Sequence, residues 1–96
     1  MFRVGKKIIS KNYKPFIIAE MSGNHNGSLQ NALKIVDLVA KSGADAIKLQ
    51  TYTPETITIK SARKEFFIKD KNNLWKNSSL FDLYKKAQTP WSWHKK

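Results

Sequence analysis

Two apolar stretches that end in polar residues decide the fold of this chain: FIIAE at residues 16–20 and ADAIKLQT at residues 44–51. Both stretches predict short strands. Because successive side chains on a strand point to opposite faces, Lys48 and Gln50 share one face of the second strand. Glu20 occupies the corresponding end of the first strand. Three polar residues therefore stand where a buried strand would carry apolar ones.

The residues between the two strands predict a loop and one amphipathic helix. The loop MSGNHNGS ends at Ser28, which is placed to cap the helix. Apolar residues from Leu29 to Ala40 recur at helical spacing, and Gly43 supplies a stop signal. The order strand, loop, helix, turn, strand predicts a βαβ unit with a parallel sheet and a right-handed crossover.

Parallel α/β folds bind ligands at the carboxyl ends of their strands, where Glu20 and Lys48 lie. The alternatives are two solvated residues at strand ends, or one structural ion pair. Because both strands turn polar at the same end, we favour a functional site. Lys48 suits a phosphate or carboxylate as a point charge, and Glu20 suits an acid or base. Gln50 offers a donor and an acceptor, so the expected ligand is an anionic, oxygen-rich small molecule.

Asn24 and His25 lie in the loop before the helix, where backbone N–H groups and the helix dipole favour an anion. A lone histidine in a polar loop is more often solvated than a ligand. The chain has only two histidines and no cysteine, so we expect no metal site built from this chain alone.

The remaining segments predict an N-terminal hairpin, a long excursion and two further helix starts. Residues 2–10 form a strand or hairpin around Gly5, and residues 51–73 form a long loop. A second amphipathic helix follows Ser78 or Ser79, and Thr89 before Pro90 predicts a third helix start. Two parallel strands cannot close a barrel, so the chain reads as a fragment of a larger enzyme.

The amino-acid composition limits the other classes of function that the chain could have. The net charge is +11, from 18 Lys and Arg against 7 Asp and Glu, which raises nucleic acid as a partner. However, the basic residues are scattered and no nucleic-acid motif accompanies them, so a small basic nucleic-acid-binding module is only an alternative. No apolar stretch approaches the ~20 residues that cross a bilayer, and we expect a soluble cytoplasmic protein that binds no membrane. A third hypothesis is an inert, poorly folded product whose strand edges lack partners.

Three motifs in order resemble the sialic acid synthase family: FIIAEMSGNHNGS, GADAIKLQTYTPETITI and LYKKAQTPWSWH. The second and third look most similar to its pseudaminic acid synthase branch. The resemblance implies the N-terminal portion, about the first two β/α units, of a (β/α)8 TIM barrel. Residues 1–15 would be an extension and residues 16–96 an incomplete synthase domain, without the rest of the barrel or the antifreeze-like domain. The N-acetylneuraminate and legionaminate synthases are the alternatives within the family.

The family reaction is a condensation of phosphoenolpyruvate with an N-acylated amino sugar that releases phosphate. By resemblance, Glu20 and Lys48 would be catalytic, with Lys48 also binding phosphoenolpyruvate. Gln50 would orient the acylated sugar, and Asn24 and His25 belong to the shared loop motif as candidate substrate contacts. The family also implies a homodimer and a divalent metal, manganese or magnesium, whose ligands come from later strands. We therefore expect a transferase parent and an inactive 96-residue chain.

Overall fold

The computed structural model describes residues 1–96 and contains four short strands and two α-helices. In chain order they are β1 (Phe2–Val4), β2 (Lys7–Ile9), β3 (Ile18–Glu20), α1 (Leu29–Ser42), β4 (Ala46–Lys48) and α2 (Leu80–Ala87). Three 3₁₀ segments lie at Pro54–Thr56, Lys64–Phe66 and Trp91–Lys95.

The N-terminal residues form the predicted hairpin. Strands β1 and β2 pair antiparallel, with Phe2 opposite Ile9 and Val4 opposite Lys7. Gly5 in the connecting turn has φ +58°, a left-handed conformation that glycine adopts without the steric cost of a Cβ atom.

Helix α1 begins and ends at the residues that the sequence marks. The Ser28 Oγ accepts a hydrogen bond from the Asn31 N–H at 3.2 Å, which satisfies one of the free donors of the first turn. Gly43 ends the helix with φ +83°. The helix has 14 residues, or about four turns.

The predicted βαβ unit is confirmed. Strands β3 and β4 pair parallel, with Ile18 opposite Ala46 and Glu20 opposite Lys48. Each strand has three residues, which is shorter than the apolar stretches suggested. The two strands form a two-stranded sheet, so the structure shows a mixed α/β fold with two small sheets rather than a barrel.

Asp45 is the polar exception at the start of the second apolar stretch, and the structure explains it. Its carboxylate accepts the Ile17 N–H at 2.9 Å and pairs with the Lys7 Nζ at 2.9 Å. These contacts tie the hairpin to the amino ends of β3 and β4. The Ile17 hydrogen bond, followed by the Lys7 ammonium, lowers the pKa of the Asp45 carboxyl below its ordinary value of 3.8.

The sign of this shift predicts an acid-sensitive link. A carboxyl whose pKa is lowered by folding stabilises the fold above its ordinary pKa and loses that contribution as pH falls below about 3.8. We expect the Tm of the chain to fall more steeply between about pH 5 and pH 3 than that of Asp45→Asn. Thermal unfolding followed by circular dichroism measures both slopes. Asp37→Asn, on an exposed position of α1, is the matched control and should keep the original slope. Parallel curves for the chain and Asp45→Asn would contradict the assignment.

The C-terminal segment departs from the prediction at Thr89. Ser79, one of the two predicted caps of α2, accepts the Asp82 N–H at 3.1 Å. Thr89 caps nothing: the last 3₁₀ segment begins after Pro90 without a side-chain cap. The reason is a tertiary contact, because the Thr89 N–H donates to the Gln50 carbonyl at 2.8 Å and its side chain is buried.

Little of the chain is buried. Six of the 96 residues are buried, and the apolar ones among them are Met21, Ala32, Pro54 and Ala87. The accessible surface is 7796 Å², against about 5,700 Å² for a compact monomer of this mass. The radius of gyration is 16.9 Å, where a compact domain of this length has about 12.5 Å. Large apolar side chains, including Ile18 and Leu38, lie exposed. No helix combines the length and the apolar character needed to span a membrane.

Candidate functional site

The structure brings Glu20 and Lys48 together at the carboxyl ends of the parallel strands. They are direct partners in the ladder, and the Lys48 Nζ lies 3.0 Å from the Glu20 Oε1. The Met21 N–H donates to the Lys48 carbonyl at 3.1 Å, so the ladder continues one step past the pair. Alternation and parallel pairing alone place an acid beside a cation at this edge.

The ion pair is open to solvent. The side chains of Lys48 and Glu20 are 54% and 53% exposed. Exposed ion pairs contribute about 0–1 kcal/mol to stability, because solvent screens the charges and ordering two long side chains costs entropy. Both charged groups are therefore accessible to a ligand, and the fold depends little on their pairing.

Gln50 lies two residues beyond Lys48, outside the strand. It is half-buried, and its carbonyl accepts the Thr89 N–H. The strand ladder thus fixes Glu20 and Lys48, whereas a contact from the C-terminal segment holds Gln50.

His25 is buried rather than solvated, so the expectation of a solvated histidine is wrong. The loop turns back through Asn26 and Gly27, which have φ +51° and +72°, and the Gly27 N–H donates to the His25 Nδ1 at 2.9 Å. The Nδ1 is thus used as an acceptor, and the Nε2 is buried without a partner. The ring packs edge-on against Trp93, with centroids 5.0 Å apart.

Asn24 differs from its neighbour because it is exposed, and its N–H donates to the Met21 carbonyl at 3.1 Å. The loop therefore presents Asn24 to solvent and keeps His25 inside. Substrate contact by either residue stays a prediction.

Three residues of the C-terminal segment reach the site although sequence reasoning missed them. Thr89 holds Gln50, Trp93 covers His25, and the His94 Nε2 lies 2.7 Å from the Thr51 Oγ1. Local periodicity carries no signal for contacts between residues so far apart in sequence. The sequence marked this segment only as a helix start at Thr89 and Pro90 and as part of the motif LYKKAQTPWSWH, and neither signal indicates these contacts.

Tyr52 extends the same packing to α2. Its ring lies edge-on to Tyr84 with centroids 6.0 Å apart. Burial, and secondarily the nearby Tyr84, raises the pKa of the Tyr52 phenol above its ordinary value of 10.0. Tyr52 is therefore neutral at physiological pH and acts here as a packing residue.

The side chains of this chain do not fit the divalent metal that the resemblance implies. No group of three His, Cys, Asp or Glu side chains comes together anywhere in the structure. The His25 Nδ1 is already an acceptor for Gly27, and Glu20 faces the Lys48 ammonium. We therefore derive no chemical step through a metal.

A parallel βαβ unit with an acid, a cation and an amide at the carboxyl ends of its strands belongs to the α/β class, whose members bind small molecules at this edge of the sheet. Comparison with known proteins gives the family. The model of the NeuB family matches residues 35–96, so the chain belongs to the NeuB family, the sialic acid synthases. The match includes Lys48 and Gln50, and Glu20 precedes it.

Several curated relatives are similar over most of the chain. Identity to the pseudaminic acid synthase of Campylobacter jejuni is 52% over 81 residues, which is 84% of this chain and 23% of that protein. Identity to the pseudaminic acid synthase of Helicobacter pylori is 45% over 80 residues, 83% of this chain and 23% of that protein. The N,N'-diacetyllegionaminic acid synthase of Legionella pneumophila is 41% identical over 70 residues, 73% of this chain and 19% of that protein. The chain thus spans about a quarter or less of the length of these relatives.

Proposed function

We propose that this chain is the N-terminal part of a pseudaminic acid synthase, which condenses phosphoenolpyruvate with an N-acylated amino sugar. The observation that carries the proposal is the Glu20–Lys48 pair at the carboxyl ends of two parallel strands, 3.0 Å apart and open to solvent. Identities of 45–52% to pseudaminic acid synthases, against 41% to legionaminic acid synthases, favour the pseudaminic product.

In this proposal the charge of each side chain determines its role. The Lys48 ammonium binds the phosphate or carboxylate of phosphoenolpyruvate. This anionic group of the substrate competes with the Glu20 carboxylate for the ammonium. The Glu20 carboxylate is then free to act as an acid, base or electrostatic stabiliser beside the reacting carbons. Gln50 orients the acylated sugar through its amide, and Asn24 and His25 shape the loop beside it.

The reaction forms one carbon–carbon bond. The enol carbon of phosphoenolpyruvate attacks the aldehyde carbon of the open-chain sugar, whose oxygen takes up a proton. Water adds to the cation that remains on the phosphate-bearing carbon and loses a proton. The hydroxyl on that carbon then becomes the C=O of the product as the bond from the carbon to the phosphate oxygen breaks, and phosphate leaves with the hydroxyl proton. In this proposal Lys48 holds the phosphate, and Glu20, 3.0 Å from it, exchanges the transferred protons.

The proposed parent is a (β/α)8 barrel in which residues 16–96 form about the first two β/α units and residues 1–15 an extension. The large accessible surface and the exposed Ile18 and Leu38 support it, because further strands and helices would cover such faces. The antifreeze-like domain, the homodimer and the divalent metal also belong to this proposal, with the metal ligands on other strands. A cytoplasmic location fits these soluble substrates.

The runner-up is a legionaminic acid synthase, which the 41% identity to the Legionella pneumophila and Campylobacter jejuni proteins favours. Two chimeras separate the candidates. In one, residues 1–96 replace the corresponding N-terminal quarter of the C. jejuni pseudaminic acid synthase; in the other, they replace that of the C. jejuni N,N'-diacetyllegionaminic acid synthase.

We expect the first chimera to release phosphate from phosphoenolpyruvate and the sugar substrate of its parent, with kcat/KM within about tenfold of the parent. The second should lose considerably more activity relative to its own parent. The two unmodified synthases are the controls, and circular dichroism verifies that each chimera is folded. A folded first chimera that releases no phosphate would overturn the proposed function, and higher relative activity of the second would reassign the product.

A further inference from the structure

Two contacts from the C-terminal segment hold the chain at the end of β4. The Thr89 N–H donates to the Gln50 carbonyl at 2.8 Å, and the next residue, Thr51, shares a hydrogen bond of 2.7 Å with the His94 Nε2. One contact is to the main chain and the other to a side chain. The C-terminal segment thus contacts two consecutive residues, Gln50 and Thr51, just beyond β4.

The His94 side chain is exposed but lies beside an aromatic ring. The His94 ring lies 5.8 Å from the Trp91 ring at an angle of 39°. Trp93, between them in sequence, packs edge-on against the fully buried His25. The segment that holds Gln50 therefore also contacts the loop that follows β3.

Lys48 and Gln50 depend on different supports. Lys48 lies within the ladder, opposite Glu20, and its carbonyl accepts the Met21 N–H. Gln50 lies beyond the last ladder pair, so its direction depends on the contacts made by Thr89 and by Thr51. Loosening those contacts should move Gln50 while Lys48 stays in place.

We propose that His94, acting through Thr51, is a positioning residue that aims the Gln50 amide at the acylated sugar. The inference rests on the proposed function, because it takes Gln50 as the residue that meets the sugar. The inference adds that the two substrate-binding residues are positioned separately. His94 positions Gln50, which meets the sugar, whereas the strand ladder positions Lys48, which binds phosphoenolpyruvate. A displacement of about 1 Å in such a group can cost as much as a hundredfold in rate.

The first test uses the pseudaminic acid synthase chimera. Thr51→Val keeps the shape of the side chain and removes the hydroxyl, and His94→Ala removes its partner. Each should raise the KM for the sugar about five- to tenfold and leave the KM for phosphoenolpyruvate within about twofold. The double variant should be no worse than either single variant, because both remove one interaction. Thr51→Ser and His94→Gln, which keep a hydrogen-bonding group, should restore the sugar KM.

The matched control is Thr56→Val. Its hydroxyl also makes a hydrogen bond of 2.7 Å, but to the Thr53 carbonyl at the start of the next 3₁₀ turn, and this bond involves neither Gln50 nor Thr51. Thr56→Val should leave both KM values unchanged. An unchanged sugar KM in Thr51→Val, or an equal rise of both KM values, would overturn the positioning role while the proposed function stands.

A second measurement needs no activity. In the amide NMR spectrum of the 96-residue chain, Thr51→Val and His94→Ala should each shift the side-chain amide signals of Gln50, whereas Thr56→Val should not. If the Gln50 signals do not move, the positioning role of His94 is contradicted, whether or not the chimera is active. If the signals move but the folded chimera is inactive, only the proposed function is rejected.

Discussion

Glu20→Gln in the pseudaminic acid synthase chimera is expected to lower kcat at least about a hundredfold, with a much smaller change in the KM for phosphoenolpyruvate. Glutamine has the shape of glutamate but can neither ionise nor exchange a proton at this position. A positioned acid or base contributes about 10²–10⁴-fold to rate. Lys48, which lies 3.0 Å away, remains to bind the anion, so binding should survive better than turnover. Steady-state kinetics of phosphate release measure both constants.

Glu65→Gln is the matched control for this substitution. It also removes one carboxylate from an ion pair, with Arg63 at 3.5 Å, and its side chain is 63% exposed against 53% for Glu20. It should leave kcat unchanged. Because exposed ion pairs contribute about 0–1 kcal/mol, neither variant should change the Tm by more than a few degrees. If Glu20→Gln kept kcat within about threefold, Glu20 and Lys48 would be a structural ion pair and no more.

The parts of the fold that could be predicted from sequence depend on neighbours within one turn or one strand. The Ser28 cap acts on the helix that follows directly, and Gly43 adopts its left-handed conformation where that helix ends. Strand alternation and a parallel ladder were sufficient to place Glu20 opposite Lys48. These features follow from local chemistry, which the sequence carries explicitly.

The features that could not be predicted depend on residues distant in sequence. Thr89 has the local signal of a helix cap, but its N–H is used by Gln50 and its side chain is buried. His25 lies in a polar loop, but Trp93 covers its ring. Asp45 begins the second apolar stretch with a polar residue because Lys7 of the hairpin and the Ile17 N–H both contact its carboxylate. In each case a tertiary contact outweighs a correct local preference, and no periodicity of the sequence indicates the partner.

The small core lies around the loop that follows β3. Met21 follows Glu20 directly and is 1% exposed, and Ala32, Pro54 and Ala87 are the other buried apolar residues. Gly23 lies so close to α2 that a Cβ atom there would be 3.1 Å from the Ala87 Cβ. The core therefore forms beneath the candidate site, where the loop after β3 meets α1 and α2. Its largest apolar member is Met21.

Met21→Ala is accordingly expected to abolish the cooperative thermal transition of the 96-residue chain. Replacing a buried methionine by alanine costs about 2–5 kcal/mol, from lost burial and from the cavity left behind. Whole domains have a free energy of unfolding of only about 5–15 kcal/mol. This chain has six buried residues, so apolar burial contributes less to its stability than in most domains. Circular dichroism during heating and urea titration measures the loss.

Leu74→Ala is the control for Met21→Ala, since Leu74 is also a large apolar residue but is 97% exposed. It should change the free energy of unfolding by less than about 0.5 kcal/mol. A cooperative transition in Met21→Ala at the Tm of the unsubstituted chain would show that the buried cluster does not stabilise the fold. The absence of any transition in the unsubstituted chain would instead identify the isolated chain as unfolded.

The chimera then becomes decisive: further strands cover the exposed faces there, so Met21→Ala should lower the Tm without unfolding the protein. Because the Met21 N–H still meets the Lys48 carbonyl, kcat should change far less than in Glu20→Gln.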